Sequence, residues 1–500
     1  MPGVLLDETA LDPRSATLHA DGVDLDHTAC YRALSLRDSR FDGRFFSCVK
    51  TTGIYCRPVC PARVPRPQNV IFLPTAFAAQ EAGFRPCLRC RPETAPELGA
   101  WRGTSNTVSR ALALIELGAL DERDITALAE RVGIGERQLR RLFQQHLGAS
   151  PIAVAQTRRI LLAKQLIHET RMPMTEIAYA AGFGSVRRFN ETFRDMYGRP
   201  PSALRRGKAA AASGQVELLL RYQAPYDWPA MLGFLRQRAI PGIESVRGEV
   251  YTRTIALGGQ HGVVTVSPSD SNALRATIQF PSVSGLPAIL ARLRRVFDLT
   301  ADAIAIGEHL AADPLLAPLV AARPGLRVPG AWDGFELAIR AVLGQQITVV
   351  AARTLAARLV STLGEPLAEP LEGLTHVFPA PETLAAADLS RLGVPRARAE
   401  TLIAVARAAV ADPDLFGDRS ELDEAVVRLR AIRGVGEWTA QYIALRQLRQ
   451  PDAFPATDLG ILRGLATRLG RKPDVRELLL HAEGWRPWRA YAAQHLWAVA

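Results

Sequence analysis

Hydrophobic and polar positions divide this chain into stretches with different periods. From residue 105 to about 206, apolar positions recur every three or four residues in short runs that end at glycine, predicting helices joined by tight turns. One design occurs twice. Ile125, Leu128 and Val132 lead to Gly133 and then to Leu139, Leu142 and Phe143, with Arg137, Arg140 and Arg141 beside them. Ile177 and Ala181 lead to Gly182 and, past Ser185, to Phe189 and Phe193, with Arg187 and Arg188 alongside. Each half predicts a helix, a glycine turn and a basic second helix whose leucines and phenylalanines face a core. Between 216 and about 300 the pattern changes. Strands are predicted at 216–222, 251–267 and 274–280, with helices at 228–238 and 286–297, which makes a small α+β unit with an antiparallel sheet. Beyond Pro324 and Pro329 the chain is predominantly helical.

Within that last stretch, residues 429–459 carry the densest chemical signal. Helical spacing runs to Ile432, breaks at Gly434-Val435-Gly436 and resumes through Trp438, Ala440, Tyr442 and Ile443. Two helices joined by a glycine hairpin follow, and the second helix offers unpaired N–H groups to an anion such as a DNA phosphate. Asp458 lies 22 residues after Gly436 among Phe454, Pro455, Ala456, Thr457 and Leu459. Two readings of it stand side by side: an acid that stabilises a cationic sugar or orients water, and a cap for a helix beginning near Leu459.

Composition narrows the class. Five hundred residues, 48% of them apolar, suggest three or four domains with substantial cores. The formal charge of +11 rests on arginine, since Lys50, Lys164, Lys208 and Lys472 are the four lysines. Its distribution points to phosphate contacts in the middle of the chain. Residues 1–100 hold 12 basic and 11 acidic groups, 101–200 with Arg205, Arg206 and Lys208 hold 18 and 10, and the remainder 31 and 29. No opening segment reads as a signal peptide and no apolar run is long enough to span a bilayer, so a cytoplasmic protein is expected.

All six cysteines precede residue 91. Cys56 and Cys60 are separated by three residues, Cys87 and Cys90 by two, and two such pairs suit a tetrahedral zinc site, either structural or reactive. The segments Asp38-Ser39-Arg40-Phe41-Asp42-Gly43-Arg44-Phe45-Phe46, Thr51-Thr52-Gly53-Ile54-Tyr55-Cys56-Arg57-Pro58-Val59-Cys60 and Ala82-Gly83-Phe84-Arg85-Pro86-Cys87-Leu88-Arg89-Cys90 resemble the N-terminal domain of the Ada methyl-response proteins over residues 27–93. The resemblance implies that Cys56, Cys60, Cys87 and Cys90 bind Zn2+ and that Cys56 takes a methyl group from a DNA methylphosphotriester. Four thiolates on zinc carry a formal charge of −2 and methylation leaves −1, so the reaction would strengthen DNA binding. Arg57, Arg63, Arg66 and Arg85 read as phosphate contacts or as ordinary surface groups. No cysteine follows Cys90, which argues against a second alkyltransferase for O6-alkylguanine.

The run Ala178-Tyr179-Ala180-Ala181-Gly182-Phe183-Gly184-Ser185-Val186-Arg187-Arg188-Phe189 resembles AraC-type DNA-binding domains across 105–206. That implies promoter DNA and RNA polymerase as partners and makes Arg137, Arg140, Arg141, Arg187 and Arg188 the DNA-contact candidates. The hairpin with Asp458, the run Trp332-Asp333-Gly334-Phe335-Glu336, Leu343-Gly344-Gln345-Gln346-Ile347-Thr348, and Trp485-Arg486-Pro487-Trp488 resemble AlkA-like 3-methyladenine DNA glycosylases of the helix-hairpin-helix GPD superfamily.

From this third resemblance Asp458 is the catalytic acid, and Gly434 and Gly436 hold a phosphate with room for a monovalent cation. Gln346, or Ile347 with a one-residue shift, enters the DNA stack, while Trp438, Tyr442 and Trp488 line the base pocket and Trp485 and Trp497 are structural. Phe234 reads as a damaged-base contact or as a buried helix residue. Where lyases carry a lysine the chain has Trp438, which implies a monofunctional enzyme on alkylated double-stranded DNA. A different class also fits, a methylation-responsive regulator whose glycosylase-like half binds DNA without turnover.

The expected fold is a multidomain α+β chain. It comprises a zinc domain at 1–100, an all-α double helix-turn-helix domain at 101–208, a linker at 209–215, an α+β domain at 216–320 and a helical HhH-GPD domain at 321–500.

Overall fold

The computed structural model of the protein describes residues 25–96, 106–121, 124–205, 215–270, 272–371, 373–417 and 421–500. Of the expected linker, residues 209–214 lie outside these, and Gln215 opens a strand.

The first unit holds α1 (His27–Leu36), β1 (Phe46–Val49), β2 (Ile54–Cys56), β3 (Val70–Leu73), α2 (Ala76–Glu81) and β4 (Arg85–Pro86). Its sheet runs β3-β1-β2-β4 around Phe46, Cys48, Tyr55, Ala79 and Phe84. The pairing of β2 with β4 is parallel, Tyr55 opposite Pro86, so Cys56 and Cys87 leave the sheet abreast.

Helices α3 (Asn106–Glu116), α4 (Ile125–Arg131), α5 (Glu136–Leu147), α6 (Pro151–Glu169), α7 (Met174–Ala180) and α8 (Val186–Tyr197) form the second unit. Gly133 at φ 77° and Gly182 at φ 83° make the two turns, and Leu139, Phe143, Phe189 and Phe193 are fully buried. The two halves differ in what they pack against. The first closes on itself through Val108, Leu128, Phe143 and Val154, whereas Ile160, Ile177, Phe189 and Phe193 of the second share one core with the following sheet.

That sheet orders β5 (Gln215–Arg221), β9 (Ala273–Gln279), β8 (Gln260–Ser269), β7 (Val250–Leu257) and β6 (Glu244–Arg247), all antiparallel. Here α9 (Trp228–Arg238) precedes β6, β7, β8, β9 and α10 (Leu286–Val296). The stretch expected at 251–267 is a hairpin, turned at Gly258 and Gly259 with φ 57° and 72°. Strand β6 has no counterpart in the sequence reading.

The helical unit contains α11 (Ala303–Leu310), α12 (Ala317–Ala322), α13 (Gly334–Leu343), α14 (Val349–Leu363), a hairpin of β10 (Pro366–Leu371) and β11 (Leu374–His376), α15 (Pro381–Ala385), α16 (Arg396–Ala411), α17 (Leu422–Arg430), α18 (Glu437–Arg446), α19 (Leu459–Leu469), α20 (Val475–Glu483) and α21 (Arg489–Trp497). Ile306, Leu310, Leu316 and Leu319 of the 301–320 stretch belong to its core. Buried ion pairs fasten it to the sheet unit: Arg253 on β7 reaches Glu336 on α13 at 2.7 Å, and Arg340 bridges Glu336 and Glu244.

Polar groups inside the fold join the first three units. Lys164 on α6, with no exposed surface, donates to the Cys87 carbonyl at 2.9 Å and to Glu93 at 2.8 Å, and Glu169 at the end of the same helix accepts from the Leu219 amide of β5 at 3.1 Å. Removing one member of a buried pair strands the other. Lys164→Met should therefore cost about 3–5 kcal/mol, and Lys164→Met with Glu93→Gln should recover much of it. Denaturant titration decides this; equal losses in the single and double variants would show that pairing is not what the lysine provides. Among the described residues no helix is long and apolar enough to cross a membrane.

Candidate functional site

Asp458 caps a helix, one of the two readings its sequence context allowed. Its backbone sits at φ −69°, ψ 125° as the N-cap of α19, and Oδ1 accepts from the amides of Gly460 at 2.8 Å and Ile461 at 3.1 Å. The indole of Trp497 donates to the same oxygen at 2.8 Å. Trp438 donates to Oδ2, also at 2.8 Å. Three donors thus fix Oδ1, Oδ2 accepts from one, and the residue is half-buried. Gly460 is needed for this approach because a Cβ there would stand 2.8 Å from Trp497 Cδ1.

The side chains expected to line a base pocket divide around that carboxylate. Trp438 stacks on Tyr442 with centroids 5.1 Å apart and planes 12° from parallel. Trp488, at the start of α21, lies edge-on to Tyr491 at 6.1 Å, and the second indole on Asp458 is Trp497 rather than Trp488. Trp485 is fully buried and donates to Asp313 at 2.6 Å. Phe234 of α9 lies beneath two guanidiniums, Arg238 at 4.1 Å and Arg446 at 4.4 Å from its centroid. Sequence reasoning placed Trp497 among the structural tryptophans and did not single out Arg238 or Arg446. The aromatic-x3-arginine spacing shared by Phe234-Arg238 and Tyr442-Arg446 was the available signal, since residues four apart meet on one helix face.

The hairpin stands beside this group. Gly434 has φ 86°, and a Cβ on it would lie 2.0 Å from Thr401 Oγ1; Gly436, the N-cap of α18, faces open space. Gln345 Nε2 donates to the Gly434 carbonyl at 3.2 Å and to Thr439 Oγ1 at 3.1 Å, and Arg398 donates to the Gln345 carbonyl at 2.6 Å. This locks the loop before α14 onto the hairpin. At its tip Gln346 is exposed at φ 57°, Ile347 is half-buried, and Val349 and Val350 add an exposed apolar shoulder. Arg396, Arg430 and Arg433 around the hairpin form surface pairs with Glu400 and Glu437, weak enough to exchange for phosphate.

Gly434→Ala should destabilise the protein by about 1–3 kcal/mol and weaken DNA binding, through both a backbone that disfavours side chains and a direct clash. Adding Thr401→Ala should relieve the clash while leaving the backbone cost. Thermal unfolding of the two variants checks this; an unchanged melting temperature in Gly434→Ala would reject it.

In the first unit Cys56, Cys60, Cys87 and Cys90 are buried, and their sulfur atoms all lie within 4.8 Å of one another. Zinc–sulfur bonds of about 2.3 Å place tetrahedral sulfurs about 3.8 Å apart, so the group fits Zn2+. Hydrogen bonds from Cys56, Cys60 and Cys90 hold the Cys87 thiol well below its ordinary range. Backbone amides of Arg57 and Arg89 point at Cys90 Sγ and Cys87 Sγ at 3.4 and 3.3 Å. Arg57 turns inward: its side chain pairs with Asp42 and donates to Thr94 at 2.7 Å, which replaces the phosphate contact considered for it. Arg63 and Arg66 are exposed.

On α5 and α8, Arg137, Arg140, Arg141, Arg187 and Arg188 are all exposed, opposite the buried leucine and phenylalanines. Arg140 pairs with Glu136 at 2.6 Å and Arg187 with Glu191 at 2.8 Å, one turn away, which aligns each guanidinium along its helix.

Comparison with known proteins accounts for nearly the whole chain. Residues 29–93 match the metal binding domain of Ada, 128–207 a helix-turn-helix domain, 217–333 the AlkA N-terminal domain and 339–490 the HhH-GPD superfamily of base excision DNA repair proteins. The Probable bifunctional transcriptional activator/DNA repair enzyme AlkA of Mycobacterium tuberculosis is 44% identical over 481 residues, covering 95% of this chain and 96% of the relative. DNA-3-methyladenine glycosylase 2 of Escherichia coli is 38% identical over 285 residues, 56% of this chain and 95% of its own. The fold of a 3-methyladenine DNA-glycosylase from Archaeoglobus fulgidus superposes with a TM-score of 0.51 at 23% identity, over 57% of this chain and 97% of that one. The chain therefore belongs to the bifunctional transcriptional activator/DNA repair AlkA family, in which an Ada metal-binding domain and a helix-turn-helix domain precede an AlkA-type HhH-GPD domain.

Proposed function

We propose that the C-terminal half is a monofunctional DNA glycosylase that hydrolyses the N-glycosidic bond of alkylated bases such as 3-methyladenine in duplex DNA. Residues 1–100 and 101–208 then supply a methylphosphotriester acceptor and a promoter-binding module, 216–320 and 321–500 the two parts of the enzyme. The observation that carries this reading is the half-buried Asp458 carboxylate, held at Oδ1 by three donors and at Oδ2 by the Trp438 indole, beside an exposed glycine hairpin.

The chemistry follows from those positions. Amides near Gly434 and Gly436 and the N-terminus of α18 hold a phosphate, with a monovalent cation among the carbonyls of the hairpin. Gln346, at the exposed tip of a braced loop, fills the gap left by the extruded nucleotide and offers an amide to the orphan base. The damaged base leaves with the electron pair of its bond to the sugar, the Asp458 carboxylate stabilises the cationic sugar, and water adds at the anomeric carbon, passing its proton to that carboxylate and on to solvent. Lys472, the one lysine beyond residue 208, is exposed and far in sequence from α18, which supports hydrolysis without strand cleavage.

In the first unit bound zinc would keep the sulfurs as thiolates and temper their charge. The Cys56 sulfur attacks the methyl carbon of a phosphotriester: an S–C bond forms, the C–O bond breaks, and the phosphodiester leaves with the electrons. Such a chain would act in the cytoplasm and, promoter-bound, on RNA polymerase. Incubation of full-length protein with alkylated duplex DNA tests the enzyme reading, with free 3-methyladenine and an intact abasic strand expected. Strand cleavage would remove the monofunctional assignment, and DNA binding without base release would favour the regulator lacking turnover.

A further inference from the structure

Arg446 stands at the centre of the aromatic group without touching the carboxylate. It closes α18, is 3% exposed, and its guanidinium lies 4.4 Å from the ring centroid of Phe234, 4.9 Å from Tyr442 and 5.1 Å from Trp497. One nitrogen donates to the Pro329 carbonyl at 2.8 Å. Among the described residues no carboxylate pairs with it, and its Nε has no hydrogen-bond partner. A guanidinium buried this way is unfavourable unless ring faces replace its hydration, and here three do.

Each indole on Asp458 leans on this cation. Trp497 meets it directly, while Trp438 stacks on Tyr442, which meets it in turn. Phe234 and Pro329 add contacts from the sheet unit and the segment that leads out of it. We propose that Arg446 is a positioning residue for base release: packed among Phe234, Tyr442 and Trp497, it holds both indoles that orient the Asp458 carboxylate. This rests on Asp458 being the reacting acid. Geometry alone gives the chain of contacts, and the Tyr442 phenol supplies an independent reporter. Burial pushes that phenol up, but the Arg446 cation, with Arg238 and Arg340, outweighs burial and holds it below its ordinary value.

The test compares full-length, zinc-loaded Arg446→Met and Arg446→Lys with the parent on duplex DNA carrying 3-methyladenine. In Arg446→Met the single-turnover rate should fall ~100-fold, as for a misplaced reacting group, while DNA affinity changes by less than about threefold. Tyr442 should ionise at higher pH, read by ultraviolet difference spectra with the matching Tyr442→Phe proteins subtracted. Lysine should restore the Tyr442 titration but only part of the rate, because an ammonium lacks the flat face that packs on rings. Should Arg446→Met not fold, Arg446→Lys with a lowered rate at the parental melting temperature supports the proposal. A parental rate in folded Arg446→Met overturns it, as do rate losses that track melting temperature in both variants with Tyr442 titrating as in the parent. A parental rate in Asp458→Asn overturns the underlying reading as well, which separates the two failures.

Discussion

Asp458→Asn should release 3-methyladenine from alkylated duplex DNA at least ~100-fold more slowly than the parent, the usual range for losing one group that acts in the transition state. The substitution keeps the shape and removes the charge. Asparagine remains a good N-cap, so its carbonyl oxygen can still serve the Gly460 and Ile461 amides and the Trp497 indole. Its NH2 group must then face the Trp438 indole, donor against donor, at a place where the carboxylate accepted a bond of 2.8 Å. That mismatch costs about 1–3 kcal/mol locally, too little to unfold a helical core of this size. Single-turnover kinetics, with zinc content, DNA affinity and circular dichroism as controls, separate catalysis from folding. Near-parental turnover would remove Asp458 from the mechanism.

Much of this arrangement is legible in the sequence, and the reason differs by element. The helix from Trp228 to Arg238 and the paired turns at Gly133 and Gly182 follow from local rules of period and glycine, which act within a few residues. The four cysteines were legible because metal spacing is itself local. Strand β6 was not: Glu244–Arg247 is short and becomes a strand through pairing with Val250–Leu257. Nor was the shared core. Ile177, Phe189 and Phe193 satisfy a helical period whether they face their own unit or the sheet beyond the linker, so sequence alone could not choose. Trp497 illustrates the same limit at the site. It lies 39 residues from Asp458, and its indole reaches the carboxylate only because Gly460 leaves room for it. The glycosylase resemblance named Trp488 instead, and nothing local in the sequence shows that its ring lies edge-on to Tyr491.

The second large effect is expected at the other end of the chain. Reaction of the parent with DNA bearing methylphosphotriesters should add one methyl group to Cys56, and Cys56→Ser should take up none. Nucleophilicity is the reason: displacement at a methyl carbon favours a soft thiolate, and a serine hydroxyl in the same place neither ionises near neutral pH nor matches sulfur in reactivity. Position matters as well as element. Cys56 ends β2 abreast of Cys87, whereas Cys87 and Cys90 receive backbone amides on their sulfur atoms, from Arg89 and Arg57, that lower the electron density available for attack. Arg57, drawn inward to Asp42 and Thr94, fixes the loop between Cys56 and Cys60, and Arg63 and Arg66 are exposed. Loss of one negative charge at the methylated cluster should then raise affinity for DNA most at low salt, where repulsion between like charges reaches furthest. Mass spectrometry of peptides after stoichiometric reaction locates the methyl group, and DNA binding measured across salt concentrations follows its consequence. A methyl group on Cys60, Cys87 or Cys90 would reassign the nucleophile; uptake by Cys56 with no change in affinity at any salt would leave the acceptor in place and remove the charge-based switch.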